Sequence, residues 1–126
     1  MGKFAPDAMI DASLIYVAGS DYMTVCSGSP LTFTDAWTNN ILAKVAMISG
    51  SGGGDFTIAD DTSGRKITMT AKSGVSIDTS GTALAVTLVD ASGSTLRYVT
   101  TCTSQDLVAG GTVDIPTWKI NIADPT

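Results

Sequence analysis

The sequence contains no histidine and no glutamate: all 12 acidic residues are aspartate, set against 7 lysines and arginines. Without histidine the usual proton carrier at neutral pH is missing, and acid–base work falls to Asp, Lys or Tyr. Charged residues make up only 15%, where soluble domains average about 25%. The net charge of −5 excludes broad attraction to nucleic acid or anionic lipid. The lack of glutamate, a good helix former, beside abundant Asp, Thr, Ser and Gly excludes a mostly helical protein. No apolar run approaches the roughly 18 residues of a membrane span. Cys26 and Cys102 lie far apart in the chain, and without histidine they make no zinc set. They read as buried free thiols, with a disulfide between them left open.

What is present fits one domain. A chain of 126 residues that is 44% hydrophobic can bury a core without metal or disulfide. The opening Met1-Gly2-Lys3-Phe4-Ala5-Pro6-Asp7 is broken by Pro6 and Asp7, so it is not a secretory signal, and Pro6 spoils the myristoylation pattern. The expectation is a soluble product made in a cytoplasm.

The best helix signal covers 6–18. Pro6 suits the first helical position, and Asp7 and Asp11 lie where the dipole favours anions. Met9, Ile10, Ala12, Leu14, Ile15, Val17 and Ala18 form an apolar stripe, and Gly19 follows as a C-cap. A short strand is predicted for 21–27, then a turn at Ser27-Gly28-Ser29-Pro30. Thr34 is placed to cap a helical turn through Asp35-Ala36-Trp37, and 41–48 reads as strand or helix, with strand favoured for 42–48. Residues 49–54 (Ser-Gly-Ser-Gly-Gly-Gly) read as a flexible surface loop. The second half alternates. Strands are predicted at 56–58, at Arg65–Lys72 with Ile67, Met69 and Ala71 on one face, and at 75–77. Thr82–Val89 follows, with Leu84, Val86 and Leu88 on one face. Ser94–Thr103 sets Leu96 and Tyr98 against Arg97 and Val99. The last strand, 112–122, is broken at Pro116 and alternates Trp118, Ile120 and Ile122 with Lys119 and Asn121. The fold class is mainly β, an antiparallel β-sandwich or barrel with one short N-terminal helix.

The unit Asp-x-Ser-Gly occurs at 61–64, 78–81 and 90–93, each time between strand runs. Asp accepts backbone N–H bonds inside a turn and Gly takes the positive φ that closes a hairpin. Ile77-Asp78-Thr79-Ser80-Gly81 and Asp61-Thr62-Ser63-Gly64 also invite comparison with the Asp-Thr-Gly loop of aspartic proteases. There two carboxylates share a proton. Ser80 stands where that loop needs glycine, and the third copy has Ala91 in place of Thr, as a turn tolerates and an active site does not. Asp60-Asp61 lacks the spacing of a calcium loop and reads as a solvated turn. Gly50-Ser51-Gly52-Gly53-Gly54-Asp55 lacks the Gly-Lys-Ser/Thr of a phosphate loop. No catalytic, cofactor-binding or metal residue is assigned. Trp37 and Trp118 are candidate sugar platforms, with core or interface as the plainer reading.

Several segments together resemble small structural proteins of tailed-bacteriophage head modules. They are Gly2-Lys3-Phe4-Ala5-Pro6-Asp7 with Asp11-Ala12-Ser13-Leu14-Ile15-Tyr16, Met23-Thr24-Val25-Cys26-Ser27, Asp55-Phe56-Thr57-Ile58-Ala59-Asp60 and Ser63-Gly64-Arg65-Lys66. The likeness continues through 94–103 (Ser94 to Thr103) to Ile120-Asn121-Ile122-Ala123-Asp124-Pro125. The resemblance implies a non-enzymatic virion component, a capsid decoration (cement) protein. It implies a homo-oligomer, a trimer in most such proteins, bound to the major capsid protein on the outer shell. It transfers no individual site residue. A neck or tail component and a carbohydrate-binding β-sandwich module are the alternatives. The closing Asp124-Pro125-Thr126 is read either as a docking arm or as a frayed end.

Overall fold

The computed structural model describes residues 7–50, 54–62 and 64–122, the side chains of 7–10 excepted. Pro6, the side chains of Met9 and Ile10, the centre of the Gly/Ser loop, Ser63 and the closing tripeptide therefore lie outside the described residues. Among the described residues one α-helix, α1 (Asp7–Ala18), precedes nine strands: β1 (Tyr22–Cys26), β2 (Ile41–Ala46), β3 (Phe56–Asp60), β4 (Arg65–Met69), β5 (Lys72–Ser76), β6 (Gly81–Asp90), β7 (Thr95–Leu107), β8 (Thr112–Ile115) and β9 (Trp118–Ile122). The protein is mainly β, as its composition requires. A four-stranded sheet runs β2-β1-β6-β7, a three-stranded sheet β3-β4-β9, and a two-stranded sheet β5-β8. Every strand pairing is antiparallel. An isolated bridge, Ala43 to Ile77, joins β2 to the chain just after β5. The arrangement is sandwich-like and is not a closed barrel.

The helix buries only part of the predicted stripe, for Ala12 and Ile15 face outward. Leu14, Val17 and Ala18 are buried, while Ile15 and Tyr16 stand half exposed. Gly19 ends it, donating to the carbonyls of Ile15 and Tyr16 at 3.1 and 3.2 Å. The helix closes against the main core, which joins Met23 and Val25 of β1 to Phe56, Ile67, Met69 and Leu88. On the opposite face of the four-stranded sheet a smaller core forms from Cys26, Ala36 and Val89 with Tyr22, Phe33, Trp37 and Leu96 around them. The lid over this second core is a wide π-helical turn at Asp35–Asn39, closed by the Asn40 N–H on the Asp35 carbonyl. Thr34 does not cap it, being itself helical with no side-chain cap bond. The cap is Thr32, whose Oγ1 accepts from the Asp35 N–H at 3.1 Å.

Two bulges overturn the expected strand faces. The β6–β7 register shifts between Ala83 and Ala85 and again between Leu88 and Val89. The first shift reverses the alternation, so Ala83 joins Val86 and Leu88 in the main core and Leu84 is left 41% exposed. At the second, Leu88 faces Tyr98 and Val89 faces Leu96, which makes Arg97 the extra residue of β7. Leu96 and Tyr98 therefore enter different cores. A bulge inserts one residue and re-aims its neighbours, an event that strict alternation cannot foresee.

The expected strand Arg65–Lys72 is two strands in two sheets, broken at Thr70 and Ala71, and Ala71 is exposed. The partner ribbon breaks at the same level, at Pro116 and Thr117, so 112–122 is also two strands. Proline has no N–H for the ladder, and Thr117 Oγ1 instead donates to the Met69 carbonyl at 2.7 Å. Trp118, Ile120 and Ile122 do alternate with Lys119 and Asn121, half-buried against exposed.

Two copies of the acidic tetrapeptide close hairpins. In the first, Asp60 pairs with Arg65, and Gly64 sits at φ 74°, where a side chain is strained. In the third, Asp90 pairs with Thr95 and its carboxylate accepts from the Ser92 hydroxyl at 2.7 Å and the Gly93 N–H at 3.1 Å. The positive φ falls on Ser94 rather than on Gly93. Gly93 serves by its size instead: a Cβ there would stand 2.9 Å from Asp90 Oδ2. The second copy is no hairpin, because β5 and β6 lie in different sheets. There Asp78 and Thr79 donate their N–H groups to the Leu42 carbonyl, and Ser80 Oγ accepts from the Ala109 N–H.

Candidate functional site

The carboxylates of Asp61 and Asp90, which open the first and third tetrapeptides, are fastened. Asp61 accepts from Lys119 Nζ at 2.7 Å, from the Thr62 N–H at 2.9 Å and from Asn121 Nδ2 at 3.1 Å. The Lys119 hydrogen bond, followed by that of Thr62, holds its carboxyl below the usual range. Asp90 is likewise held low, first by Ser92 and then by Arg97 and Gly93. Of the two carboxylates in the protease comparison, Asp61 is thus shifted downward, and Asp78 is exposed, its backbone N–H donating to the Leu42 carbonyl. Asp60 accepts from Arg65 Nη1 at 2.8 Å. The Asp60-Asp61 pair thus faces two cations of its own chain, and no group of three candidate metal ligands occurs among the described residues.

Two arginines rivet α1 to the sheets. Arg65 bonds Asp11 through Nε and Nη2 at 2.8 and 3.1 Å. Arg97, re-aimed by its bulge, donates to the Tyr16 carbonyl at 2.9 Å and to Asp90 Oδ2 at 3.1 Å. Its guanidinium also lies 4.4 Å from the Tyr16 ring centre, a cation–π distance.

Asp55, which sequence reasoning passed over as the end of a glycine run, anchors a chain crossing. Its carboxylate accepts from the Ile48 N–H at 2.6 Å, from Thr70 Oγ1 at 2.5 Å and from Lys72 Nζ at 2.9 Å. Burial on its own raises this carboxyl, but the Thr70, Ile48 and Lys72 hydrogen bonds outweigh it and hold it below the ordinary aspartate range. The only signal in the sequence is an Asp placed between a flexible run and a strand.

Both cysteines are free. Cys26 is fully buried, 3.3 Å from Thr24 Oγ1 and 3.6 Å from the Ala36 carbonyl. Burial pushes both thiols up, which leaves them weak nucleophiles. Cys102 is half-buried. Of the two tryptophans, Trp37 is spent on packing: Phe33 stacks on it at 5.7 Å, Tyr22 meets it edge-on at 5.0 Å, and Lys44 Nζ lies 4.5 Å over its ring. Trp118 lies 6.1 Å from Tyr98, and its Nε1 is buried without a hydrogen-bond partner.

Trp118 and Cys102 meet at a concave feature of the surface that no sequence pattern foretold. Strands β7 and β8 follow one another across a short loop, Val108–Gly111, yet do not pair: β7 hydrogen-bonds to β6 and β8 to β5. Between them lie two adjoining cavities of about 330 and about 250 Å³ that share Val86, Cys102, Ile115 and Pro116. Thr100, Thr101, Trp118 and Lys119 line one end, and Val25, Gln105, Leu107, Val113 and Asp114 line the other. An apolar floor with hydroxyl and amide rims suits binding of an extended, weakly polar group. Comparison with protein-family models, curated proteins and solved structures finds no match to this chain.

Proposed function

We propose that the chain is a non-enzymatic virion structural protein, a capsid decoration protein that binds the outer shell and stabilises the head as a homo-oligomer, with a trimer favoured. The resemblance to phage head proteins motivates this reading. The observation that carries it is the use made of the charged groups. Five ion pairs join Arg65, Lys72, Arg97 and Lys119 to Asp11, Asp55, Asp60, Asp61 and Asp90. Three of them tie the helix or a turn to a sheet, and two, Arg65–Asp60 and Arg97–Asp90, staple neighbouring strands at a hairpin end, so the carboxylates serve as fasteners of a stiff body. The excess negative charge keeps many copies dispersed before they assemble.

Purified particles are expected to carry this chain in many copies over the whole shell, and shells stripped of it are expected to break at lower temperature or milder osmotic shock. Mass spectrometry with copy counting, followed by thermal release of the packaged genome, measures both. A small ring-like copy number moves the protein to the neck or tail; absence from particles removes the proposal.

A further inference from the structure

We propose that the open seam between β7 and β8 takes up an extended segment of another polypeptide chain as an added strand. The argument begins with the topology. From β7 the strands follow one another through β6, β1 and β2, across the Ala43–Ile77 bridge to the β5 end, and on to β8. The ring is open between β8 and β7, where both walls are sheet edges. An unpaired edge is a row of N–H and C=O groups ready to pair, and proteins commonly blunt such edges with Lys or Pro. Residues 98–107 of β7 contain neither, and Thr101, Thr103, Ser104, Gln105 and Asp106 are exposed.

The chemistry of the occupant follows from the walls. In strand addition the backbone supplies the affinity and alternate side chains supply the selectivity. The chain directions of β7 and β8 are opposed, so an inserted strand runs antiparallel to one and parallel to the other. Its inward side chains meet Val86, Ile115 and Cys102, which calls for apolar residues at every second position. Asp114 lines the loop end of the groove, its Oδ1 accepting from the Gly74 N–H at 2.8 Å, so charge complementarity asks for Lys or Arg at that end of the segment. The groove is therefore matched to an alternating apolar strand with one basic end. This inference stands apart from the shell reading, since any polypeptide partner with such a segment fits.

The test uses a random heptapeptide display library panned on the intact chain. Selected peptides are expected to alternate apolar residues and to carry a terminal Lys or Arg. A synthetic peptide of a selected sequence is expected to slow alkylation of Cys102 by N-ethylmaleimide roughly tenfold. It is also expected to protect amides of 101–107 and 112–115 from hydrogen exchange, and alternate backbone N-methylation is expected to abolish both effects. Asp114→Lys should weaken that peptide by roughly tenfold without changing the far-ultraviolet circular dichroism. The proposal is overturned by selection that works equally well on chain already alkylated at Cys102, by bound peptide that leaves the Cys102 rate unchanged, or by no enrichment at all. Protection of the same amides by self-association without peptide would assign the seam to a second copy and overturn it too. Absence of the chain from particles would remove the shell reading and leave this one standing.

Discussion

Replacing Phe56 with alanine is expected to lower the unfolding free energy by about 3–5 kcal/mol, the range for a fully buried aromatic cut back in a core. Phe56 is 0% exposed and is the largest of the fully buried side chains. It opens β3, an edge strand paired only to β4, directly opposite Met69. Deleting the ring leaves a void in the main core, and the close-packed interior recovers only part of it. Domains of this size hold about 5–15 kcal/mol in all, so a large share of the total is at stake. Urea unfolding followed by tryptophan fluorescence measures the change. Thr57→Ala, an exposed position one residue along the same strand, should stay within about 0.5 kcal/mol. Equal effects for the two variants would show that the main core does not rest on Phe56.

The second large effect is expected from Asp55→Asn, at about 2–4 kcal/mol. The amide can still accept from Thr70 through its oxygen. Its NH2, however, is set against the Ile48 N–H, a donor facing a donor, and Lys72 loses its counter-charge. Three segments then lose their common anchor: the chain at Ile48 just before the glycine-rich loop, the break between β4 and β5, and the start of β5 itself. The pH dependence follows from the same bonds. Asp55 titrates lower in the folded chain than the ordinary value of 3.8, so the folded state binds its proton less readily than the unfolded one. Its contribution is therefore complete above about pH 4 and is lost as the pH falls through the lowered folded value. Asp35, Asp61 and Asp90 are shifted in the same direction and add to the acid limb. Denaturation midpoints measured from pH 6 down to pH 2 are expected to fall less steeply in Asp55→Asn than in the parent chain. Parallel curves would mean that this carboxylate titrates alike in both states.

These effects also show which features could be read beforehand. Alternation in Trp118-Lys119-Ile120-Asn121-Ile122 is a local pattern and survives folding, as does the Leu14, Val17 and Ala18 part of the α1 stripe. The acidic tetrapeptides at 61–64 and 90–93 were legible for the same reason, since a turn is made by its own residues. The copy at 78–81 has the same letters but a different role, because choosing a sheet depends on partners far away in the chain. The bulges at Ala83–Ala85 and at Arg97 were hidden likewise. An inserted residue shifts phase only relative to a neighbouring strand, and a single sequence does not carry that register. The groove was the least legible feature of all. It exists because two successive strands joined by a short loop decline to pair, and nothing in the residues of either strand announces that.

The position of β1 has a consequence for biosynthesis. It lies in the middle of the four-stranded sheet, with β2 on one side and residues 85–89 on the other. A ribosome that has delivered only the first half of the chain has therefore released α1 and a two-stranded ribbon whose other flank has no neighbour yet. Long-range pairing of this kind folds slowly and leaves apolar strands uncovered meanwhile. The nascent chain is thus most open to chaperone capture until Asp90 has emerged from the exit tunnel, and a synonymous slowdown of translation in that interval should cost yield rather than native stability.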